Sequence, residues 1–129
     1  MGKFDWFWKA MGSTTERNNK KSKAVVADAH GLIGELSLLD DASLASAVAS
    51  TVRDGAIADK PRFLAGLSVA SQRTLGMTPF EVQNQAVLRL LEGDVIQMAT
   101  GEGKTLVGAM AATGFALQGK RVHLITVNN

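Results

Sequence analysis

The feature that most constrains this sequence is a glycine-rich segment between two runs of different pattern. Residues 94–98 form a short apolar run typical of a buried strand, and residues 106–118 form an alanine-rich run that favours a helix. A second run rich in β-branched residues, 121–127, follows Gly119. Strand, glycine loop, helix and strand in this order make a βαβ unit, and such units build parallel sheets.

The glycine-rich segment has the composition of a phosphate-binding loop. It comprises Thr100, Gly101, Glu102, Gly103, Lys104 and Thr105. Such a loop points backbone N–H groups at phosphate oxygens, and it needs glycine where side chains would block that approach. Lys104 is placed to reach the β- and γ-phosphates of ATP, and Thr105 is placed to ligate Mg²⁺. The sequence therefore predicts an ATP site with Mg²⁺, in which Lys104 and Thr105 are the catalytic residues.

Two residues depart from the common form of this loop. Met98 stands where phosphate loops usually begin with glycine. Glu102 carries a carboxylate that repels phosphate, so we expect its side chain to point to solvent. The alternative interpretation is a glycine-rich turn with an exposed lysine, and the strand before and helix after the loop argue against it. The chain has no cysteine, which excludes disulfides and thiolate metal sites.

Residues 1–23 are predicted to form an amphipathic, basic tail. Apolar residues recur at helical spacing in its first half, and a cluster of cations follows. An apolar aromatic face beside cations is what a membrane-surface helix needs, so we expect anionic lipids to bind residues 1–23. A frayed tail, or a helix docked on its own protein, is the alternative. No run approaches the roughly 20 apolar residues that span a bilayer. The net charge of +2 does not indicate a nucleic-acid partner.

The next part of the chain, residues 24–75, is predicted to be a helical region without chemistry of its own. Apolar stripes at helical spacing predict a helix over 20–36 and a second one that ends near a left-handed Gly55. A third helix is expected from Asp59 to Gly76.

Residues 76–129 are predicted to be the first part of a nucleotide-binding domain. A fourth helix is expected to start at Thr78 and to end at Gly93. Pro79 suits its first position, and Glu81 has the spacing to reach back to the Thr78 amide.

Three stretches of the sequence resemble SecA, the preprotein translocase ATPase. They read Met-Thr-Pro-Phe-Glu-Val-Gln over 77–83, Glu-Gly-Asp-Val-Ile-Gln-Met-Ala-Thr-Gly-Glu-Gly-Lys-Thr over 92–105, and Gly-Lys-Arg-Val-His-Leu-Ile-Thr-Val-Asn over 119–128. SecA proteins share both Met98 and Glu102, whereas related superfamily 2 helicases generally carry Ser in place of the Glu. The form of the loop and the short N-terminal half look more like an accessory SecA of actinobacterial type than a housekeeping one.

The resemblance implies roles for residues that the pattern alone leaves unassigned. Gln83 would hydrogen-bond the adenine edge, with Phe80 or Met77 near the ring. Thr78 stands where many SecA proteins have Arg, and Asn129 stands where the family has Asp. The implied nucleotide-binding set is Met77, Phe80, Gln83, Thr100, Gly101, Glu102, Gly103, Lys104 and Thr105.

The resemblance also implies a fold and a function for the whole protein. The fold would be α/β, with the start of a RecA-like phosphate-loop domain and its parallel sheet after a helical N-terminal region. The protein would couple ATP hydrolysis to export, with preproteins and a protein-conducting channel in the cytoplasmic membrane as partners. It would be cytoplasmic and peripherally associated with the inner face of that membrane. Because no acidic Asp-Glu motif follows the loop, we expect an N-terminal fragment with little ATP turnover of its own. The alternatives are a superfamily 2 helicase fragment or a nucleotide-binding module that does not hydrolyse.

Overall fold

The computed structural model describes residues 12–94, 96 and 103–125, and within them the chain is mostly helical. In chain order the elements are α1 (Gly12–Leu36), α2 (Asp41–Ala49), β1 (Val52–Arg53), β2 (Ala56–Ile57), α3 (Lys60–Leu75), α4 (Glu81–Leu91) and α5 (Lys104–Leu117). The helix predicted from residue 20 starts earlier, so α1 runs through the tail boundary placed at residue 23. The rest of the predicted tail, residues 1–11, lies outside the described residues.

The starts of α2 and α3 follow from one residue each. Asp40 precedes α2, and its Oδ1 accepts the backbone N–H of Ser43 at 2.7 Å. Asp59 precedes α3, and its Oδ1 accepts the backbone N–H of Arg62 at 3.1 Å. Both bonds satisfy a first-turn N–H that has no acceptor within the helix. Pro61 lies in the first turn of α3 and has no N–H to satisfy, so the predicted start of the third helix is confirmed.

The second helix ends before the point that its apolar stripe predicts. After Ala49 the chain forms an antiparallel hairpin in which Val52 pairs with Ile57. Asp54 and Gly55 form its turn with positive φ angles of 52° and 75°. Two such residues in succession make the turn whose twist matches paired strands. The left-handed Gly55 was therefore predicted correctly, but it closes a hairpin rather than a helix.

Helix α3 lies at the centre of the core. It packs against both α1 and α2, while α4 packs against α1 and α5. The ring of Phe63, which is fully buried, extends from α3 towards α5. A Cβ atom at Gly114 in α5 would lie 2.6 Å from Leu91 Cδ2 and 3.0 Å from Phe63 Cζ. Because no methyl group fits there, Gly114 allows α5 to approach α3 and α4 closely.

The predicted parallel sheet is not confirmed. Within the described residues the sheet structure consists of the β1–β2 hairpin alone. Of the first predicted strand, 94–98, only Asp94 and Ile96 are described. Residues 121–125 are exposed and have no ladder partner in the described part of the chain. A strand over 121–125 would need a neighbouring strand to form a parallel ladder. The predicted strand 94–98 is the nearest candidate in sequence, and it lies almost wholly outside the described residues.

None of the helices in the described ranges is long and apolar enough to cross a membrane.

Candidate nucleotide-binding site

The start of α4 places Gln83 differently from the prediction. Phe80, not Thr78, is the residue that precedes the helix, with an extended backbone at φ −76° and ψ 162°. The reach-back bond assigned to Glu81 is made instead by Gln83, whose Oε1 accepts the Phe80 backbone N–H at 2.8 Å. The reason is geometric. The side chain that reaches back belongs to the residue three positions after the cap, and with Phe80 as the cap that residue is Gln83. The hydroxyl of Thr78 is engaged elsewhere and donates to Gln72 Oε1 at 2.6 Å.

Gln83 also connects α4 to the beginning of α5. Only 4% of its surface is exposed, and its Nε2 donates to the carbonyl oxygen of Gly103 at 3.4 Å. One carboxamide therefore bonds the backbone at two points, Phe80 and Gly103, that are far apart in sequence. This contact joins the helix expected to read the base to the last glycine of the predicted phosphate loop.

Gly103 is required at that position for two independent reasons. It adopts a left-handed conformation, φ 74° and ψ 46°, which side-chain-bearing residues rarely take. A Cβ atom there would also lie 2.1 Å from Gln83 Nε2 and would displace that side chain. The glycine thus lets the chain turn into α5 and makes room for the Gln83 contact.

The first turn of α5 carries two of the predicted site residues. The N–H groups of the first turn have no acceptor within the helix, as in any α-helix, and Gly103 has no side chain to cap them. Lys104 and Thr105 are both exposed, whereas the next two residues, Leu106 and Val107, are buried and fix the turn to the core. This arrangement suits an anion that carries a bound metal cation. It combines an exposed ammonium, an exposed hydroxyl and uncapped N–H groups at the positive end of a helix. The remaining loop residues Thr100, Gly101 and Glu102 lie outside the described residues.

Met77 and Phe80, at and just before the cap of α4, each expose apolar side-chain surface. Their exposed fractions are 47% and 72%, which is high for residues of this type.

The carbonyl oxygen of Met77 accepts the hydroxyl of Ser71 at 2.7 Å. Ser71 and Gln72 were not predicted to take part in this region. The one signal for Ser71 in the sequence is that either it or Ala70 lies on the apolar face predicted for the third helix.

These parts suit a nucleotide site of the phosphate-loop class. The glutamine that caps α4 is bonded to Gly103, and Gly103 precedes a helix that begins with an exposed Lys and an exposed Thr. The chain belongs to the SecA DEAD-like domain family, whose match covers residues 7–129. The predicted resemblance to SecA is therefore confirmed.

The individual relatives agree with the family match. The chain is 59% identical over all of its 129 residues to "Protein translocase subunit SecA 2" of Corynebacterium glutamicum (strain R), and 54% identical over its full length to the protein of that name from Corynebacterium diphtheriae. It is 46% identical over 125 residues, 95% of the chain, to "Protein translocase subunit SecA 3" of Mycolicibacterium vanbaalenii. The chain spans 16–17% of the length of these relatives.

Proposed function

We propose that this protein provides the ATP-binding part of a SecA-type motor, which couples ATP hydrolysis to preprotein export across the cytoplasmic membrane. The observation that carries the proposal is the bond from Gln83 Nε2 to the Gly103 carbonyl, in a chain of the SecA DEAD-like domain family. Through this bond Gln83 contacts both the helix proposed to bind the base and the last glycine of the proposed phosphate loop.

The residues of the site fit ATP with Mg²⁺. Lys104 carries the positive charge for the terminal phosphates, and the Thr105 hydroxyl is the oxygen ligand that Mg²⁺ prefers. Gly103 has no side chain, and the space that a Cβ atom would fill there is occupied by the Gln83 carboxamide. Thr100, Gly101 and Glu102 complete the proposed loop. When bound, Mg²⁺ would supply charge neutralisation for phosphoryl transfer to water.

The base would bind at the other end of the same contact. We propose that Gln83 hydrogen-bonds the adenine edge and that Met77 and Phe80 cover the ring with the apolar surface they expose. Lys104 and Thr105 act on the phosphates, so binding of the base and charge stabilisation fall to different elements, α4 and α5. The RecA-like parallel sheet remains part of this proposal.

The proposed partners are supported by the names of the relatives, which are protein translocase subunits. We propose that the motor works with a protein-conducting channel and preproteins, and that it is cytoplasmic and peripherally associated with the inner face of the membrane. Residues 1–23 would contact anionic lipids there, and no nucleic acid takes part.

A calorimetric titration with ATP and Mg²⁺ tests the proposed site directly. Replacing Lys104 by Ala should weaken binding about 10- to 100-fold, because a hydrogen bond to a charged group is worth about 1.5–3 kcal/mol. Lys120→Ala is the matched control: Lys120 is also exposed, lies just beyond the far end of α5, and stands 5.2 Å from the centre of the Phe115 ring. Equal ATP affinity in the wild-type and Lys104→Ala chains would refute the site.

Turnover by a full-length protein that contains this chain separates the motor from its alternatives, because these 129 residues alone are expected to turn over little ATP. Phosphate release that membranes and preprotein stimulate supports the SecA-type function. Stimulation by RNA alone would indicate a helicase, and tight binding of ATP without any phosphate release under all of these conditions would indicate a module that only binds nucleotide.

A further inference from the structure

The loop between α3 and α4 is fastened to α3 by two side-chain hydrogen bonds. The hydroxyl of Ser71 donates to the Met77 carbonyl at 2.7 Å, and the hydroxyl of Thr78 donates to Gln72 Oε1 at 2.6 Å. Both bonds join residues on opposite sides of the left-handed turn at Gly76. The loop is therefore restrained at two consecutive residues by the last turns of the helix that precedes it.

The two bonds differ in burial and so in what they do. Ser71 is 6% exposed, and its bond satisfies a polar group inside the protein. Thr78 and Gln72 are both exposed. An exposed bond between neutral groups competes with water and contributes little to overall stability. Its main consequence is local, because it limits the conformations of the loop.

The restrained loop is the one that presents the proposed surface for the base. Thr78 is the neighbour of Met77, and the buried Pro79 separates it from Phe80. Pro79 fixes its own φ angle, and the Phe80 N–H is held by Gln83. With the Thr78–Gln72 bond in place, each residue from Met77 to Phe80 has its own restraint.

We propose that Thr78 and Gln72 form a positioning pair for the nucleotide base. The pair holds the Met77–Phe80 loop in the conformation that covers the ring, so less conformational freedom is lost when the base binds. This role rests on the proposed function, and it gives Thr78, which stands where many SecA proteins have Arg, a partner within the chain. Neither Thr78 nor Gln72 has a hydrogen bond to Lys104 or Thr105 in the described part of the chain, so we expect the effect to be confined to ligands that carry a base.

Affinity for two ligands tests this role: ATP, and inorganic tripolyphosphate, which has the phosphates without the base. Thr78→Val keeps the branched side chain but removes the donor, and Gln72→Ala removes the acceptor. Each should weaken ATP binding about three- to tenfold, as expected for loss of one ordering restraint, and leave tripolyphosphate binding unchanged. Because they break one bond, the double variant should be no weaker than either single variant. Thr78→Ser, which keeps the hydroxyl, should bind ATP as the wild type does.

Thr74→Val is the matched control, because the exposed Thr74 also makes one hydroxyl bond, to the Ala70 carbonyl at 2.8 Å, but none to the loop. It should bind both ligands normally. Thermal unfolding of every variant checks that the fold is intact. Unchanged ATP affinity in Thr78→Val, or equal losses for ATP and tripolyphosphate, would overturn the positioning role. A wild-type chain that binds neither ligand would refute the proposed function instead, and this role with it.

Discussion

Helices α2 and α3 begin in a different way from α5, and the difference separates two helices of the core from the helix that carries Lys104 and Thr105. Helices α2 and α3 begin at Asp40 and Asp59, and each carboxylate accepts an N–H of its own first turn. Helix α5 begins at Gly103, which has no side chain to offer. Its first turn carries Lys104 and Thr105, both exposed.

This contrast is the one expected if the start of α5 binds an anion. An aspartate cap accepts one of the free N–H groups and places a negative charge beside the others, which disfavours phosphate at that position. A glycine cap leaves the same groups available and adds no charge. The local stability lost at α5 is offset by contacts of the turn itself, since Leu106 and Val107 are buried. A capped start therefore has a hydrogen bond of its own, whereas the uncapped start of α5 relies on packing and leaves N–H groups for the proposed ligand.

The largest effect is expected from Gly103→Ala, which closes the open start with a side chain. A left-handed conformation costs a non-glycine residue about 1–2 kcal/mol, and the new Cβ would also displace the Gln83 side chain. We expect ATP affinity to fall by more than about tenfold, measured by calorimetry.

Gly119→Ala distinguishes backbone strain from the loss of the site. Gly119 has a φ of 82°, and a methyl group added there would meet no atom within 4 Å. This variant should lose similar stability in thermal unfolding but keep its ATP affinity. If both variants lose the same affinity, strain alone explains the result and Gly103 has no special place in the site.

Thr105→Val is expected to have the next largest effect. It should change the Mg²⁺ dependence of ATP binding rather than the stability of the fold. The exposed hydroxyl of Thr105 has no structural bond among those of the described residues, so its removal should leave the melting temperature unchanged. ATP binding should lose most of its dependence on Mg²⁺, measured by titrations with the metal and with a chelator. Thr105→Ser should restore that dependence, and a Thr105→Val chain that still responds fully to Mg²⁺ would contradict the assignment.

A structural feature of this protein could be predicted from the sequence when the residues that form it are close together in the chain. The cap at Asp59 and the end at Gly76 follow from neighbouring residues, and the sequence predicts both correctly. The start of α4 is ambiguous within two residues, because Thr78 is a better cap in isolation than Phe80. The bond from Gln83 to Gly103 depends on how α4 packs against α5, so no local pattern reveals it.

Asp59→Ala tests the other side of the comparison, a helix start that needs no ligand. Loss of the bond to the Arg62 N–H should cost about 1 kcal/mol of the free energy of unfolding, the usual value for an aspartate cap. Asp59→Asn, which keeps the acceptor, should cost much less. Chemical denaturation measures both, and ATP affinity should stay unchanged, because α3 begins outside the site. A large loss of ATP affinity in Asp59→Ala would show that the two kinds of helix start are not independent.

The smallest effect is expected from the pH dependence of the Asp40 cap. The Ser43 side chain and backbone N–H hold the pKa of Asp40 below its ordinary value of 3.8, with a smaller contribution from Arg73. A carboxyl whose pKa is lowered on folding stabilises the folded state above its ordinary pKa, and this stabilisation is lost as the pH falls through the lowered value. The stability difference between the wild type and Asp40→Ala should therefore be constant near neutral pH and shrink below about pH 4. Asp40→Asn caps the helix without a titrating group, so in denaturation measurements its difference from Asp40→Ala should not shrink in this way. If it shrinks equally, the pH dependence arises elsewhere in the protein.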